Sequence, residues 1–194
     1  MFQLKSRSSV LALGLVALGV AVAAVPARPA LADATVMVGG AAMYPTKNII
    51  ENAVNSKDHT TLVAAVKAAG LVETLSGKGP FMVFAPTNEA FAKLPAGTVD
   101  TLLKAENKAK LVKILTSHVV GAAVMSGAIA KMVDDDKGAH SVKTLSGAVL
   151  IVKKSANGGL TLTDENGGVA NVTIADVKQS NGVIHVVDAV LLPK

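Results

Sequence analysis

Three patterns of apolar and polar positions run along this chain. The first is an unbroken apolar run, Val10 to Val25, which holds 16 residues without a polar or charged side chain. The second is helical, with apolar positions spaced three and four apart. Thr46 stands where a helix carrying Ile49, Ile50, Ala53 and Val54 would be capped. Asp58 stands where a second would begin, with Leu62, Val66 and Ala69 on one face and Gly70 as its stop. Thr98 to Leu103 and Glu106 to Leu115 repeat the pattern. The third is strand-like. Phe81 to Ala85 is a short continuous apolar run, and Thr87 starts a short helix through Phe91. From His118 the chain becomes rich in Val, Ile, Leu and Thr, in segments 118–120, 141–145, 148–153, 159–163, 169–175 and 182–192. Asn157-Gly158 and Asn166-Gly167 supply hairpin turns, because these residues tolerate positive φ. Residues 33–45 show no period and predict a flexible arm. A helical half followed by antiparallel strands predicts one α+β domain over 46–194. Its expected form is a β sandwich or wedge of about seven strands, with a helical bundle built mainly by the N-terminal half.

Composition changes this picture once the start of the chain is set apart. Lys5 and Arg7 precede the apolar run, Pro26 and Pro29 break it, and Ala30-Leu31-Ala32 follows. That order predicts a signal peptide over 1–32, cleaved after Ala32. The run is shorter than the roughly 18 residues of a membrane span, so no transmembrane segment is expected to remain. The predicted location is secreted or periplasmic, with attachment at the cell surface as a variant of it. The whole chain carries 19 basic and 14 acidic residues, a net +5. Lys5, Arg7 and Arg28 leave with the leader, so 16 lysines face 14 acids and the net charge falls to +2, with no arginine. Arginine supplies the forked contacts that read guanine and phosphate. Only Tyr44, Phe81, Phe84 and Phe91 remain as aromatics, and nucleic-acid binding is not expected. Cysteine is absent, which removes disulfides, thiolate nucleophiles and cysteine metal sites.

Candidate chemistry is sparse. There is no Gly-x-Ser-x-Gly elbow and no His-Glu-x-x-His pair. Gly70 to Lys78 has the wrong spacing for a phosphate loop. Asp134-Asp135-Asp136 lacks the alternating ligands of a calcium loop and reads as a solvated acidic turn. His118 and His185 sit in apolar runs, where a neutral imidazole with hydrogen-bond partners would pin elements together. No catalytic residue, metal or cofactor is therefore expected.

Two longer segments carry a resemblance. Phe81-Met-Val-Phe-Ala-Pro-Thr-Asn-Glu-Ala-Phe91 resembles the first signature of fasciclin-type domains, and Asn181-Gly-Val-Ile-His-Val-Val-Asp-Ala-Val-Leu-Leu-Pro193 resembles the second. The His-Val-Val stretch ending at Val120 is similar to that family's central histidine segment. The likeness covers residues 48–194 and implies a bacterial, secreted, single-domain member with the family's compact α+β fold. Phe81, Phe84, Pro86, Thr87, Asn88, Phe91, Asn181, Gly182, His185, Asp188 and Pro193 carry it, and physical reasons make them structural. Phe81 and Phe84 fill a core, Pro86 ends a strand and Thr87 caps the helix that carries Phe91. Asn181-Gly182 makes a turn, and Asp188 accepts hydrogen bonds at a bend. The resemblance implies a non-catalytic, monomeric module that binds a protein or glycan at a cell surface or matrix. It also offers His118, Asp176 and Val177 as partner contacts, since a Tyr-His segment and an Asp-Ile pair are implicated in integrin contact in animal relatives. The alternative is a small hydrophobic-ligand binder of the envelope, using a groove between helices and sheet. An enzyme would need a convergent polar cluster around His118 or His185.

Overall fold

The structure is a computed structural model that describes residues 35–194, and the leader reading over 1–32 lies outside them. The described chain opens on a hairpin where the sequence predicts a loose arm. Strands β1 (Val36–Val38) and β2 (Ala41–Met43) pair antiparallel around Gly39 and Gly40, both at positive φ. Val38 and Met43 are each 3% exposed and join the helical core, so this segment is docked. Strands of three residues are too short to display a period.

Helix α1 (Ile49–Ala53) begins at Asn48 rather than Thr46. The Asn48 side chain accepts from the Glu51 amide (2.9 Å), and the Glu51 carboxylate accepts from the Asn48 amide (2.8 Å), a reciprocal capping box. Asp58 falls inside a 3₁₀ turn, Lys57–His59, and not at a helix cap. Helix α2 (Thr60–Ala69) follows and ends at Gly70, with φ 75°. Next come α3 (Val72–Ser76), β3 (Phe81–Pro86), α4 (Asn88–Ala92), α5 (Thr98–Leu103), α6 (Lys108–Ser117) and β4 (Val119–Val120). Helix α7 (Ser126–Asp135) interrupts the half expected to hold strands alone. It buries Ile129 and Val133, four apart, and takes Asp134 and Asp135 into its last turn. Strands β5 (His140–Lys143), β6 (Val149–Lys154), β7 (Leu160–Thr163), β8 (Val169–Gln179) and β9 (Gly182–Val187) complete the chain.

Seven strands form one sheet in the order β4-β3-β9-β8-β7-β6-β5. The antiparallel expectation fails at its centre, where β3 and β9 run parallel from Phe81 opposite Gly182 to Pro86 opposite Val187. A parallel pair needs a long crossover, and the helices and strands between residues 87 and 181 supply it. The Leu145 amide donates to the Val119 carbonyl (2.8 Å), so the loop after β5 reaches the β4 edge and the sheet nearly closes. The β3–β9 pair is buried on both faces, which explains its continuous apolar runs. Val83, Ala85, Ile184 and Val186 face the helices, whereas Met82, Phe84 and Val187 face Leu150, Leu162 and α7. The α+β class, the seven strands and the N-terminal helical layer match the sequence reading.

Docking of the hairpin makes two methionines inequivalent. Met43→Ala should cost about 2–5 kcal/mol by opening a core void. Met37→Ala, at a position 59% exposed, should stay within about 0.5 kcal/mol. Urea unfolding of both variants checks this, and equal small effects would return the segment to a loose arm.

Candidate functional site

His118 follows α6 directly and is 2% exposed. The Leu191 amide donates to its Nε2 (3.0 Å), which leaves Nδ1 as the protonated nitrogen, donating to the Ile114 carbonyl (2.8 Å). The ring thereby clamps the C-terminal tail to the end of a helix. Burial pushes its pKa down to about 4, against the upward pull of the Ile114 carbonyl and the Asp164 charge.

His185 lies on β9 opposite Phe84 and stacks on that ring, with centroids 5.8 Å apart. Its Nδ1 accepts from the Asp176 amide (3.3 Å), and its Nε2 donates to the Val124 carbonyl (3.1 Å). Burial lowers its pKa as well. Asp176 sits where the β8–β9 register shifts, with φ 61°, a left-handed conformation that Asp tolerates better than most residues. Its carboxylate accepts from the Ser126 amide (2.6 Å) and the Ser126 hydroxyl, and so caps α7 from a distant strand.

The structure places the three expected partner contacts as follows. His118 and Val177 (1% exposed) are core residues and offer no surface. Asp176 is half-buried, with both oxygens engaged by Ser126. His118 and His185 point to separate partners and do not converge with a nucleophile. His59, also buried, bonds the Ser56 hydroxyl through Nδ1 (2.9 Å) and is held below the usual imidazole range mainly by burial. Among the described residues, no three His, Cys, Asp or Glu side chains are grouped to hold a metal ion.

The remaining signature residues hold elements together. The Thr87 hydroxyl caps α4 through the Ala90 amide (3.3 Å). Asn88 accepts from the Thr61 amide (3.0 Å) and donates to the Lys57 carbonyl (2.7 Å), tying α4 to the start of α2. Phe84, Pro86 and Phe91 are buried, while Phe81 and Pro193 are half-buried. Asp188 accepts from the Asn171 amide (2.7 Å) and side chain (2.9 Å). Partial burial works against its charge, but those bonds and Lys93 hold its carboxyl below the ordinary value. Sequence reasoning missed Asp164. This buried carboxylate accepts from the amides of Asn166 (2.9 Å), Gly168 (2.7 Å) and Leu192 (2.9 Å), and so ties the β7–β8 turn to the tail. An Asp two residues before Asn-Gly was its available signal.

Asn181 is a hub for three segments. Its side chain accepts from the Ile49 amide (3.1 Å) and donates to the carbonyls of Leu75 (2.8 Å) and Gly77 (2.9 Å). A Cβ on Gly182 would lie 2.0 Å from the Phe81 carbonyl oxygen, so only glycine allows this approach. Around the hub opens a cleft of about 660 Å³, bordered by Asn48, Ser76, Lys78 and Ser180. It lies at the start of both signature strands.

The three buried histidines give stability a defined pH slope. Their folded pKa values lie below the ordinary 6.5, so the unfolded chain binds more protons as pH falls through that value. Stability should be intact above about pH 6.5 and decline toward about pH 4, with His118 contributing about 3 kcal/mol of the loss. Urea midpoints across that range check this. His118→Gln should be less stable at neutral pH and show a shallower decline; an unchanged slope would remove His118 as its source.

The chain is similar to known proteins. The fasciclin-domain family model matches residues 57–193. Protein sll1483 of Synechocystis sp. is 48% identical over 166 residues, covering 83% of this chain and 82% of its own. Immunogenic protein MPB70 of Mycobacterium bovis is 31% identical over 209 residues, covering 98% and 99%. The transforming growth factor-beta-induced protein ig-h3 of Sus scrofa is 41% identical over 132 residues, which are 68% of this chain but 17% of that protein. Among solved structures, a domain pair from the insect cell adhesion molecule fasciclin I aligns with a TM-score of 0.65 at 19% identity. It covers 75% of this chain, which spans about half (51%) of that structure. With both signature strands inside the matched segment, the chain belongs to the fasciclin-domain family.

Proposed function

We propose that this protein is a non-catalytic interaction module, exported to the periplasm, the medium or the cell surface, that binds a protein or glycan partner as a monomer. One observation carries the reading: the residues singled out as candidate chemistry in the signature segments and beside them are engaged in holding the fold. His118, His185 and Asp176 have their polar atoms bonded to backbone or to Ser126. The rigid Asn181 hub leaves an open polar cleft at the surface instead. The signal-like leader over 1–32 supports export, and among the described residues no helix is long and apolar enough to cross a membrane. The fasciclin I structure is named for an insect cell adhesion molecule and MPB70 as an immunogenic protein, and both names suit an exposed interaction module.

Carriage of a small apolar ligand has less support. Among the described residues, two apolar cavities between helices and sheet measure about 20 and 30 Å³. That is room for about one water, against the roughly 150 Å³ that admits benzene.

The test is binding of the purified protein to envelope fractions of its own source. The expected result is saturable binding with no chemical change in the fraction. Absence of saturable binding would overturn the adhesion reading, and turnover of an envelope component would overturn the non-catalytic one.

A further inference from the structure

The cleft around Asn181 has an uneven chemistry that identifies a ligand class. Four donors on its border make no hydrogen bond or ion pair with any described residue: Lys78 Nζ, the Ser76 and Ser180 hydroxyls, and Asn48 Nδ2. The other polar side chains of the lining are engaged. Asn181 holds three backbone groups, and Gln179 bonds Asn52 and the Val177 carbonyl. No carboxylate lines the cleft. The free capacity is therefore rich in donors and carries one positive charge.

The frame is pre-organised. The Phe81 amide donates to the Asn181 carbonyl (3.1 Å), and the Ser180 amide donates to the Lys47 carbonyl (2.9 Å). A Cβ on Gly79 would lie 1.9 Å from the Asn181 carbonyl oxygen, so these backbones are packed directly against each other. A ligand meeting this cleft loses little to reorganisation of the protein.

We infer that the cleft binds a saccharide bearing a carboxylate. Lys78 is a single point charge that one carboxylate balances, whereas a phosphate monoester carries about −1.5 to −2 at neutral pH and would find only this one cation in the lining. The serine hydroxyls and the Asn48 amide suit ring hydroxyls spaced along the border. A volume of about 660 Å³ lies within the range of small-molecule sites and admits a short oligosaccharide. Protein partners are disfavoured, because Pro80 and Ala123 are the only apolar side chains of the lining and offer no buried anchor. This inference rests on the interaction-module reading and narrows its partner to an acidic glycan.

The test is an NMR titration of the isotope-labelled protein with trigalacturonate, maltotriose and sodium acetate, in wild type and in Lys78→Ala and Lys78→Arg. Lys78 is exposed and makes no hydrogen bond or ion pair with the described residues, so its replacement leaves the fold intact, as an unchanged spectrum elsewhere would show. Trigalacturonate should shift the amides of Ser76 to Gly79 and Ser180 to Gly182 saturably, with maltotriose and acetate weaker by about tenfold or more. Lys78→Ala should weaken trigalacturonate about tenfold, the worth of one charge-assisted hydrogen bond. Lys78→Arg should keep most of the affinity. Shifts by acetate of equal affinity would mean an adventitious ion only, and equal shifts by maltotriose would show that the carboxylate is not read. Either result overturns the inference, as does trigalacturonate binding elsewhere or not at all. If Lys78→Ala still binds envelope fractions while no saccharide binds the cleft, the glycan site falls and the interaction module stands. If wild type binds neither, both fall.

Discussion

The parallel pairing of β3 with β9 is the constraint on which the rest of this fold depends. It joins residues about a hundred positions apart in sequence, Phe81 with Gly182 through Pro86 with Val187. It is buried on both sides, so one strand pair serves two cores. Its start admits no side chain at Gly79 or Gly182, because either Cβ would meet the opposing backbone at about 2 Å. Asn181 then secures the same end by holding α1, the end of α3 and β3 together. Each signature segment of the family supplies one strand of this contact.

Polar residues that resemble catalytic parts act as fasteners around that pair. His118 and His185 use opposite tautomers, each fixed by one backbone donor and one backbone acceptor. Asp164 and Asp176 each satisfy one backbone amide that lies far from them in sequence. Buried polar groups of this kind cost little when fully bonded and a great deal when one partner is removed. The fold they hold together therefore accounts for the positions of these residues.

Much of the architecture was legible because its signals are local. The Phe81–Ala85 run, the Thr87 cap, Gly70 as a helix stop and the two Asn-Gly turns all follow from single residues or short windows. The hairpin at 36–43 was not, since its strands are short and its stability comes from docking Val38 and Met43 against distant residues. It also precedes the segment that the family model matches. Helix α7 was masked by three aspartates at its end and by a remote cap, Asp176, with no local trace. The parallel direction of β9 depends on the crossover rather than on its own residues. At the site, burial of His118 and His185 was legible from their apolar neighbours, but the cleft was not, because Asn48, Ser76, Lys78 and Ser180 meet only in three dimensions.

The central claim is that the β3–β9 pair holds the domain together. Native-state hydrogen exchange measures this most directly, because each amide reports the free energy of the opening that exposes it. Amides paired between β3 and β9 should exchange only through global unfolding and be the slowest in the domain, with those of β1, β2 and the β5 edge opening earlier. Exchange of the β3–β9 amides through a smaller local opening, while β6 and β7 stay protected, would contradict the account.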